Sequence, residues 1–324
     1  MVDAPGTRIA DKYELLQPAG TGGMATVWRA IQYGAAGFSR PVGIKRIRPD
    51  LAHQRDFVKM FIEEARVCAQ LMHPNIVQIF DFGYDRGNYF LVMEWVDGLN
   101  LGRYLNSFAE RGLTPAWHLL AAIAIESLHA LGAAHNRVDQ DGLPAPVYHR
   151  DVTPPNILIG VNGIVKLSDF GLARAMDRSS MTSPDIVKGK LGYLAPELTY
   201  KRGPTAQTDL YSLGVVLWQA LAGRQLFAAE NLGDVLLKAR KREIPPLEDE
   251  RPDLPPELVR IVHRALERKP ERRFLSAREM SRELAALLRQ HPEPTDARQL
   301  SLSVTEARAQ YGLSPPSLPP PPMR

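Results

Sequence analysis

The stretch HRDVTPPNILI, residues 149–159, holds an aspartate and an asparagine five residues apart. Carboxylate and amide oxygens are ligands that Mg²⁺ accepts in proteins, and a positioned carboxylate can also take a hydroxyl proton. Asp151 and Asn156 could therefore share one nucleotide–metal site. Thr153 between them raises a question, because a site that handles phosphate is expected to carry a cation there.

Two other segments hold groups suited to the same chemistry. Lys45 lies in the apolar run VGIK, where a charge needs a partner, and Glu64 in the next helical segment can provide one. The run LSDFGLA adds Asp169. A lysine for phosphates, Asp and Asn oxygens for Mg²⁺ and a separate Asp for a hydroxyl are the parts that phosphoryl transfer requires.

A glycine-rich turn, GTGGMATV, lies between two strand-like segments near the N-terminus. Glycines allow backbone N–H groups to approach phosphate oxygens without a side-chain clash. Alone, the turn predicts no more than a β-hairpin. Together with Lys45 and the acidic groups, it makes Gly20, Gly22 and Gly23 candidates for phosphate binding.

The composition is typical of a globular protein, with 44% hydrophobic and 23% charged residues. The 324 residues suffice for two compact domains or for one domain with two lobes. The net charge of +4 comes from 40 basic and 36 acidic residues, a mixed surface that does not predict nucleic-acid binding. The single cysteine, Cys68, excludes an intrachain disulfide and lies at apolar helical spacing, which favours packing over reactivity.

No targeting or membrane segment is expected. The N-terminal residues are polar and lack the apolar core of a signal peptide. The longest apolar runs, such as residues 119–125, are far shorter than the ~20 residues of a membrane span. We therefore expect a cytoplasmic location.

The secondary-structure pattern changes near residues 94–98. Strand-like segments and one amphipathic helix, over 54–72 and ending before a proline, come before this point, and helical patterns follow it. This predicts an α+β fold with a small β-rich N-lobe and a larger helical C-lobe. The expected division is an N-terminal segment 1–12, a domain 13–290 with lobes 13–94 and 98–290, and a proline-rich linker or disordered tail 291–324.

The ordered set of motifs resembles the protein kinase family, and within it the bacterial, eukaryotic-like (Hanks-type) Ser/Thr branch. The resemblance spans roughly residues 13–290. In chain order, the motifs are GTGGMATV, VGIK, Glu64, HPNIV, MEWVDG, HRDVTPPN, DFG, APE, TDLYSLG and RKPERRF.

The resemblance implies an enzyme that uses ATP and Mg²⁺ to phosphorylate Ser or Thr hydroxyls of proteins. Lys45, paired with Glu64, would hold the α- and β-phosphates, and Asp151 would accept or orient the hydroxyl proton. Asn156 and Asp169 would bind Mg²⁺.

The adenine site is implied in the same way. Val27 and Leu158 would pack on the two faces of the base, with Met93 as the gatekeeper side chain. The backbone of Glu94 and Val96 would bind the adenine edge.

Other matching residues are implied to be structural. An apolar column would align the two lobes, an ion pair would hold the substrate platform, and an aspartate would anchor the catalytic loop. The column consists of Cys68, Ile79, His149 and Phe170. The ion pair is Glu197 with Arg273, and the anchoring aspartate is Asp209.

Two positions depart from the family together. Thr153 stands where Ser/Thr kinases usually carry a lysine, and Lys190 stands where they usually carry the threonine that bonds to it. We hypothesise that Lys190 supplies the missing charge, with Thr153 as its hydrogen-bond partner. The alternative is that Lys190 points to solvent and the enzyme is slower.

Arg150 precedes the catalytic Asp, and in the family an arginine at this position pairs with phosphate on the activation loop. Autophosphorylation, in trans within a dimer, is expected at Thr182 or Ser183, with Ser179 and Ser180 as further candidates. Three alternatives stay open: a silent ATP-binding pseudokinase scaffold, a small-molecule phosphotransferase of the same superfamily, and tyrosine as the acceptor.

Overall fold

Residues 94–98 join a strand-rich N-lobe to a helical C-lobe, which confirms the predicted two-lobed α+β architecture. The computed structural model describes residues 3–170, 191–200, 202–227, 244–293 and 295–313. Within these ranges the chain forms nine β-strands and eight α-helices.

The N-lobe is a six-stranded antiparallel sheet with the strand order β1-β2-β3-β4-β6-β5. Its register places Val27 opposite Lys45 and Gly43 opposite Met93, so each of these pairs shares one face of the sheet. The strands are β1 Arg8–Ile9, β2 Tyr13–Thr21, β3 Ala25–Tyr33, β4 Ser39–Ile47, β5 Ile79–Asp85 and β6 Asn88–Glu94.

Strand β4 separates two small cores by the alternation of its side chains. Val42 and Ile44 point into a cluster with Tyr13 and Trp28 on one face of the sheet. Ile47 belongs to the other cluster, which packs against helix α1, Arg55–Cys68. Lys45 has the same parity as Ile47, so its side chain lies on the helix side.

Helix α1 buries Phe57, Phe61, Ala65 and Cys68 on one side, as the periodicity predicted, and Glu64 lies on the same face. The helix ends at Cys68, four residues before the end of the predicted segment, because the chain turns there towards Pro74. An acidic side chain on the buried face of this helix requires a cationic partner.

Two long helices, α3 (Trp117–His135) and α4 (Ala206–Ala222), form the centre of the C-lobe and are apolar around most of their circumference. Among the described residues, α3 is the one helix long and apolar enough to cross a membrane, but most of it is buried inside the lobe. The C-lobe helices before the last one are α2 Leu101–Ala109, α3 Trp117–His135, α4 Ala206–Ala222, α5 Leu247–Glu250, α6 Pro256–Ala265 and α7 Ala277–Leu288.

A three-stranded sheet of β7 Gly98–Asn100, β8 Ile157–Gly160 and β9 Val165–Leu167 lies beneath the junction of the lobes. Strand β8 follows directly on the 3₁₀ turn Pro154–Asn156, and β9 leads into Asp169. This sheet therefore fixes the two segments that carry the acidic site residues relative to residues 94–98.

The packed N-lobe extends to the N-terminal side of the predicted domain start at residue 13. Strand β1 pairs with β2, and Ile9 is fully buried in the N-lobe core. Asp3 forms a 2.7 Å ion pair with the buried Arg46. A strand of two residues is too short to show alternation in the sequence, so the sequence does not reveal that residues 3–12 contribute to this lobe.

The prediction of a linker or disordered tail from residue 291 is wrong for residues 297–309. These form helix α8, Ala297–Ala309, called the C-terminal helix below, which is capped by Asp296 and packs on the C-lobe. Its buried Leu300, Val304 and Ala307 recur at spacings of four and three. That signal and the cap were overlooked because polar residues surround them. Residues 314–324, with six of the eight prolines of the segment 291–324, lie outside the described ranges.

Gly163 in the turn between β8 and β9 offers a test of this docking. A Cβ at Gly163 would lie 1.8 Å from the carbonyl oxygen of Ala297, whereas a Cβ at Gly142 would meet nothing within 4 Å. Both glycines have positive φ, 76° and 78°. In Gly163→Ala and Gly142→Ala alike, the strain of a positive φ should lower the free energy of unfolding by about 1–2 kcal/mol.

In Gly163→Ala, the clash with the carbonyl of Ala297 should lower the free energy of unfolding by about 1–3 kcal/mol more, as measured by urea unfolding. Equal losses in the two variants would contradict the close approach of the C-terminal helix to this turn.

Candidate active site

The Lys45 ammonium lies between two carboxylates. Its Nζ is 2.7 Å from Oε1 of Glu64 and 2.7 Å from Oδ1 of Asp169. Burial alone would lower the pKa of Lys45, but the two carboxylates outweigh it and raise the pKa above its usual value. The lysine is therefore charged, and it connects strand β4, helix α1 and the segment that follows β9.

Asp169 reaches Lys45 from a backbone conformation that aspartate tolerates better than most residues. Its φ is +62°, in the left-handed region. The neighbouring Phe170 is buried, and its carbonyl accepts a 3.4 Å hydrogen bond from Sγ of Cys68. The turn thus directs one side chain to the lysine and the next into the core.

The loop at Asp151 is held by its own side chains. Nδ2 of Asn156 donates to the backbone oxygen of Asp151 at 2.8 Å and to its Oδ2 at 3.0 Å. Both residues are buried, although they lie beside the opening between the lobes. The predicted Asp and Asn are therefore brought together as one unit.

Asp209 of helix α4 anchors this loop from below. Its carboxylate accepts 2.8 Å hydrogen bonds from the N–H groups of His149 and Arg150, and lies 2.8 Å from Nε2 of His135. Arg150 has a φ of +67°, a conformation that costs a non-glycine residue of the order of 1–2 kcal/mol. Charge-assisted hydrogen bonds to Asp209 offset that cost.

His149 connects the loop to the segment before Asp169. Its Nδ1 accepts from the N–H of Asp151 at 3.2 Å, so the ring hydrogen is on Nε2, which donates to the carbonyl of Ser168 at 2.8 Å. The ring also lies 4.5 Å from that of Phe170, between centroids. The Asp151 and Asp169 segments therefore share one rigid contact.

The four residues of the predicted column lie in neighbouring positions. Phe170 contacts both Cys68 and His149, and Ile79 lines the same small cavity as Cys68 and Phe170. The cavity lies behind Met93. A Cβ on Gly43 would stand 3.1 Å from Cγ of Met93, so glycine at position 43 makes room for this side chain.

The three apolar side chains predicted to contact adenine lie on strands β3, β6 and β8. Val27, Met93 and Leu158 are partly exposed, and Leu158 lies between two buried isoleucines of β8. Val27 shares a sheet face with Lys45. Three partly exposed apolar side chains beside a charged lysine suit a flat base attached to phosphates.

Glu94 at the junction has a partner that the sequence analysis missed. Its Oε2 lies 2.9 Å from Nζ of Lys166 in β9, and that lysine also donates to the carbonyl of Pro74 at 2.7 Å. A lysine between the buried Val165 and Leu167 was the available signal. The pair ties the end of the N-lobe sheet to the C-lobe sheet.

The glycine-rich turn closes the hairpin between β2 and β3. Gly22 donates to the carbonyl of Ala25 at 2.8 Å, and Gly20 and Gly22 are exposed. A Cβ at Gly20 would meet no protein atom within 4 Å, so protein packing does not require a glycine there. The backbone at Gly20 and Gly22 is therefore accessible to a ligand.

Thr153 is buried and comes immediately before the 3₁₀ turn, where its carbonyl accepts from the N–H of Asn156 at 3.0 Å. Lys190 lies outside the described residues, and so do Ser179, Ser180, Thr182 and Ser183.

Glu197 and Arg273 form the predicted ion pair in a bidentate geometry. The two N···O distances are 2.7 and 2.8 Å, and the arginine also donates to the carbonyls of Gln207, Glu267 and Arg268. Removing one partner of such a buried pair destabilises a protein strongly, because the other charge is left uncompensated.

Cys68 should be unreactive in the native protein. It is 5% exposed, and burial raises the pKa of its thiol, so the nucleophilic thiolate is suppressed. Titration with a disulfide reagent at pH 8 should detect no thiol in the native chain and one thiol after unfolding in guanidinium. Cys68→Ser serves as the blank, and rapid stoichiometric reaction of the native chain would contradict the packing role.

Comparison with known proteins places this geometry in a family. The tyrosine-protein kinase MasK of Myxococcus xanthus is 37% identical over 279 residues, 86% of this chain and 43% of MasK. The serine/threonine-protein kinase PrkC of Bacillus subtilis is 33% identical over 279 residues, 86% of this chain and 41% of PrkC. The chain thus spans about two fifths of the length of these relatives.

The kinase domain of Mycobacterium tuberculosis PknI has a similar fold, with 27% identity and a TM-score of 0.64, covering 88% of this chain and 99% of the PknI domain. The protein kinase domain model matches residues 13–284. That match, together with the assembled lysine, glutamate, aspartate and asparagine groups, shows that this chain belongs to the protein kinase family.

Proposed function

We propose that this chain is a protein kinase that transfers the γ-phosphoryl group of ATP to Ser and Thr hydroxyls of proteins. The observation that carries the proposal is the Lys45 ammonium, which lies 2.7 Å from both Glu64 and Asp169. Phosphoryl transfer relies on positioning and charge stabilisation, and this arrangement holds a cation rigidly beside the acidic site.

Lys45 would act on the phosphates of ATP through its charge. The two carboxylates fix the ammonium between helix α1 and the segment that follows β9. A cation held in place before the substrate binds needs little reorganisation as negative charge moves during transfer. Val27, Met93 and Leu158 would exclude water around the base.

Asp151 would accept or orient the proton of the attacking hydroxyl. Its Oδ2 accepts from Asn156, which fixes the side-chain torsion and directs the carboxylate. Asp209 holds the backbone of the same loop in its strained conformation. A carboxylate fixed from both sides suits the geometric demand of proton transfer.

The residues present fit Mg²⁺. The amide nitrogen of Asn156 donates to Asp151, so its oxygen is the atom that this side chain offers to a ligand, and Asp169 offers a carboxylate. Two protein oxygens suit Mg²⁺, which takes the rest of its coordination from water and substrate phosphates. When bound, the ion neutralises phosphate charge. The described residues contain no cluster of three or more Asp, Glu, His or Cys side chains. A Mg²⁺ site that is completed by substrate phosphates does not require such a cluster.

The comparisons do not favour a catalytically silent scaffold. Lys45, Glu64, Asp151, Asn156 and Asp169 are all present and in contact as pairs or triples. The family model and the named kinase relatives agree with an active enzyme.

Tyrosine is a second candidate acceptor. Thr153 replaces the lysine that accompanies Ser/Thr specificity, and MasK, at 37% identity, is named a tyrosine-protein kinase. PrkC and PknA, at 33% identity, are named serine/threonine-protein kinases, which supports Ser/Thr as the first choice.

Incubation with γ-³²P-ATP, Mg²⁺ and a generic protein substrate tests the function. Asp151→Asn should lower phosphate transfer by about 10²–10⁴-fold, because the hydroxyl loses its proton acceptor. Its affinity for a fluorescent ADP analogue should remain. Asp141→Asn, on an exposed turn, is the matched control with unchanged activity. Wild-type protein that binds the nucleotide but transfers no phosphate would refute the proposal, and phosphoamino-acid analysis separates Ser/Thr from Tyr.

A double-mutant cycle tests the exchange hypothesis for Thr153 and Lys190. Thr153→Lys and Lys190→Thr alone should each lower the transfer rate by about 10²-fold, since each disturbs the cation near the transferred phosphate. The double variant should recover most of the rate. Purely additive losses would show that the two positions act independently.

A further inference from the structure

We propose that the C-terminal helix is a positioning element of the nucleotide site, and that Arg308 braces the segment between the lobes and thereby sets the affinity for ATP. The inference rests on the proposed function, because Asp97, the residue that Arg308 contacts, directly follows the adenine-binding candidates Glu94 and Val96. The matched part of the kinase family model ends at residue 284, before this helix begins.

The direct contact is an ion pair. The guanidinium of Arg308 lies 2.8 Å from Oδ1 of Asp97, with side-chain exposures of 9% and 27%. A pair so far removed from solvent is screened less by salt than a surface pair. It joins the end of the C-terminal helix to the residue after Val96.

A second connection runs through the backbone of one residue, Val161. Ser301 of the C-terminal helix donates from Oγ to the carbonyl of Val161 at 2.5 Å, and the N–H of Val161 donates to the carbonyl of Asp97 at 2.8 Å. The backbone of Val161 therefore lies between the helix and the interlobe segment. Both the side chain and the backbone of Asp97 are held by this arrangement.

The C-terminal helix is fixed on the C-lobe by several contacts along its length. Leu300, Val304 and Ala307 are buried against the C-lobe, and Ser303 is 2.7 Å from the hydroxyl of Tyr104 in α2. The backbone of Ala297 passes so close over position 163 that a side chain there would collide. Contacts at both ends and along one face limit its movement.

The catalytic groups are held by different contacts. Lys45 depends on Glu64 and Asp169, and Asp151 depends on Asn156 and on the loop that Asp209 anchors. These holding contacts all come from residues outside the C-terminal helix. Loosening the brace should therefore change nucleotide affinity and the KM for ATP, while kcat should change little.

The test uses the full chain and a fluorescent ADP analogue, whose binding does not require phosphate transfer. Arg308→Gln should raise the Kd about fivefold, a typical coupling between connected sites, and Arg308→Lys should recover part of the loss. Asp97→Asn should weaken binding similarly, and the double variant should be no weaker than either single one. Glu306→Gln is the matched control, since Glu306 lies on the exposed side of the same helix and pairs with Arg111.

Steady-state kinetics with ATP should show the same rise in KM for Arg308→Gln, with kcat within about twofold of the wild type. Hydrogen exchange should be faster for the backbone amides of residues 94–98 in this variant. If Arg308 had only a general structural role, Arg308→Gln would instead lower kcat and the melting temperature together. The control Glu306→Gln would then behave like Arg308→Gln.

Unchanged nucleotide affinity in Arg308→Gln, with a wild type that binds, would overturn the inference and leave the proposed function intact. A wild type that does not bind the nucleotide would refute the proposed function instead. Should Arg308→Gln impair folding, Asp97→Asn and Ser301→Ala probe the brace from its two ends, and unchanged affinity in both overturns it.

Discussion

The buried ion triple of Lys45, Glu64 and Asp169 is the constraint on which the rest of the site depends. A single ammonium in the interior would be strongly destabilising, and it becomes tolerable only between two carboxylates at 2.7 Å. The alternation of β4 directs the lysine to the helix side, and the periodicity of α1 places Glu64 on its buried face. The position of the helix relative to the sheet is therefore an electrostatic requirement as well as a packing one.

The C-lobe applies the same physical rule twice more. Asp209 is buried and accepts from two consecutive backbone N–H groups, which holds the loop at Asp151 in a conformation that it would otherwise leave. Arg273 is buried and its guanidinium is occupied by Glu197 and three carbonyls. Asp209 and Arg273 each make several hydrogen bonds, so each acts as a fixed point from which a functional segment is oriented.

The segment between the lobes is secured from both of its sides. Lys166 holds Glu94 on the side of the small sheet, and the C-terminal helix holds Asp97 through Arg308 and through the backbone of Val161. Val96, one of the adenine-binding candidates, lies between these two attachments. Nucleotide affinity and the seating of the C-terminal helix are thus linked by chemistry that includes residues beyond the matched part of the family model.

Local chemistry made most of the site predictable. Asp151 and Asn156 are five residues apart and meet in one short turn, so their contact follows from sequence spacing. The strand and helix periods around Lys45 and Glu64 were visible for the same reason. The roles of Asp169 and of the apolar column came from the family resemblance, and the structure brings those residues into contact. The contribution of the N-terminal strand and the C-terminal helix was missed, because a two-residue strand and a mostly polar helix carry little periodic signal.

The sequence by itself determined the type of fold, the identity of the charged groups and the segments that carry them, because these depend on periodicity and on residues close along the chain. Only the tertiary structure decided that Arg308 lies against Asp97, that Lys166 holds Glu94, and that Gly43 makes room for Met93. These contacts join residues 50 to 211 positions apart in the sequence. Their formation depends on how strands and helices that are distant in the sequence pack together, which no local pattern of residues specifies.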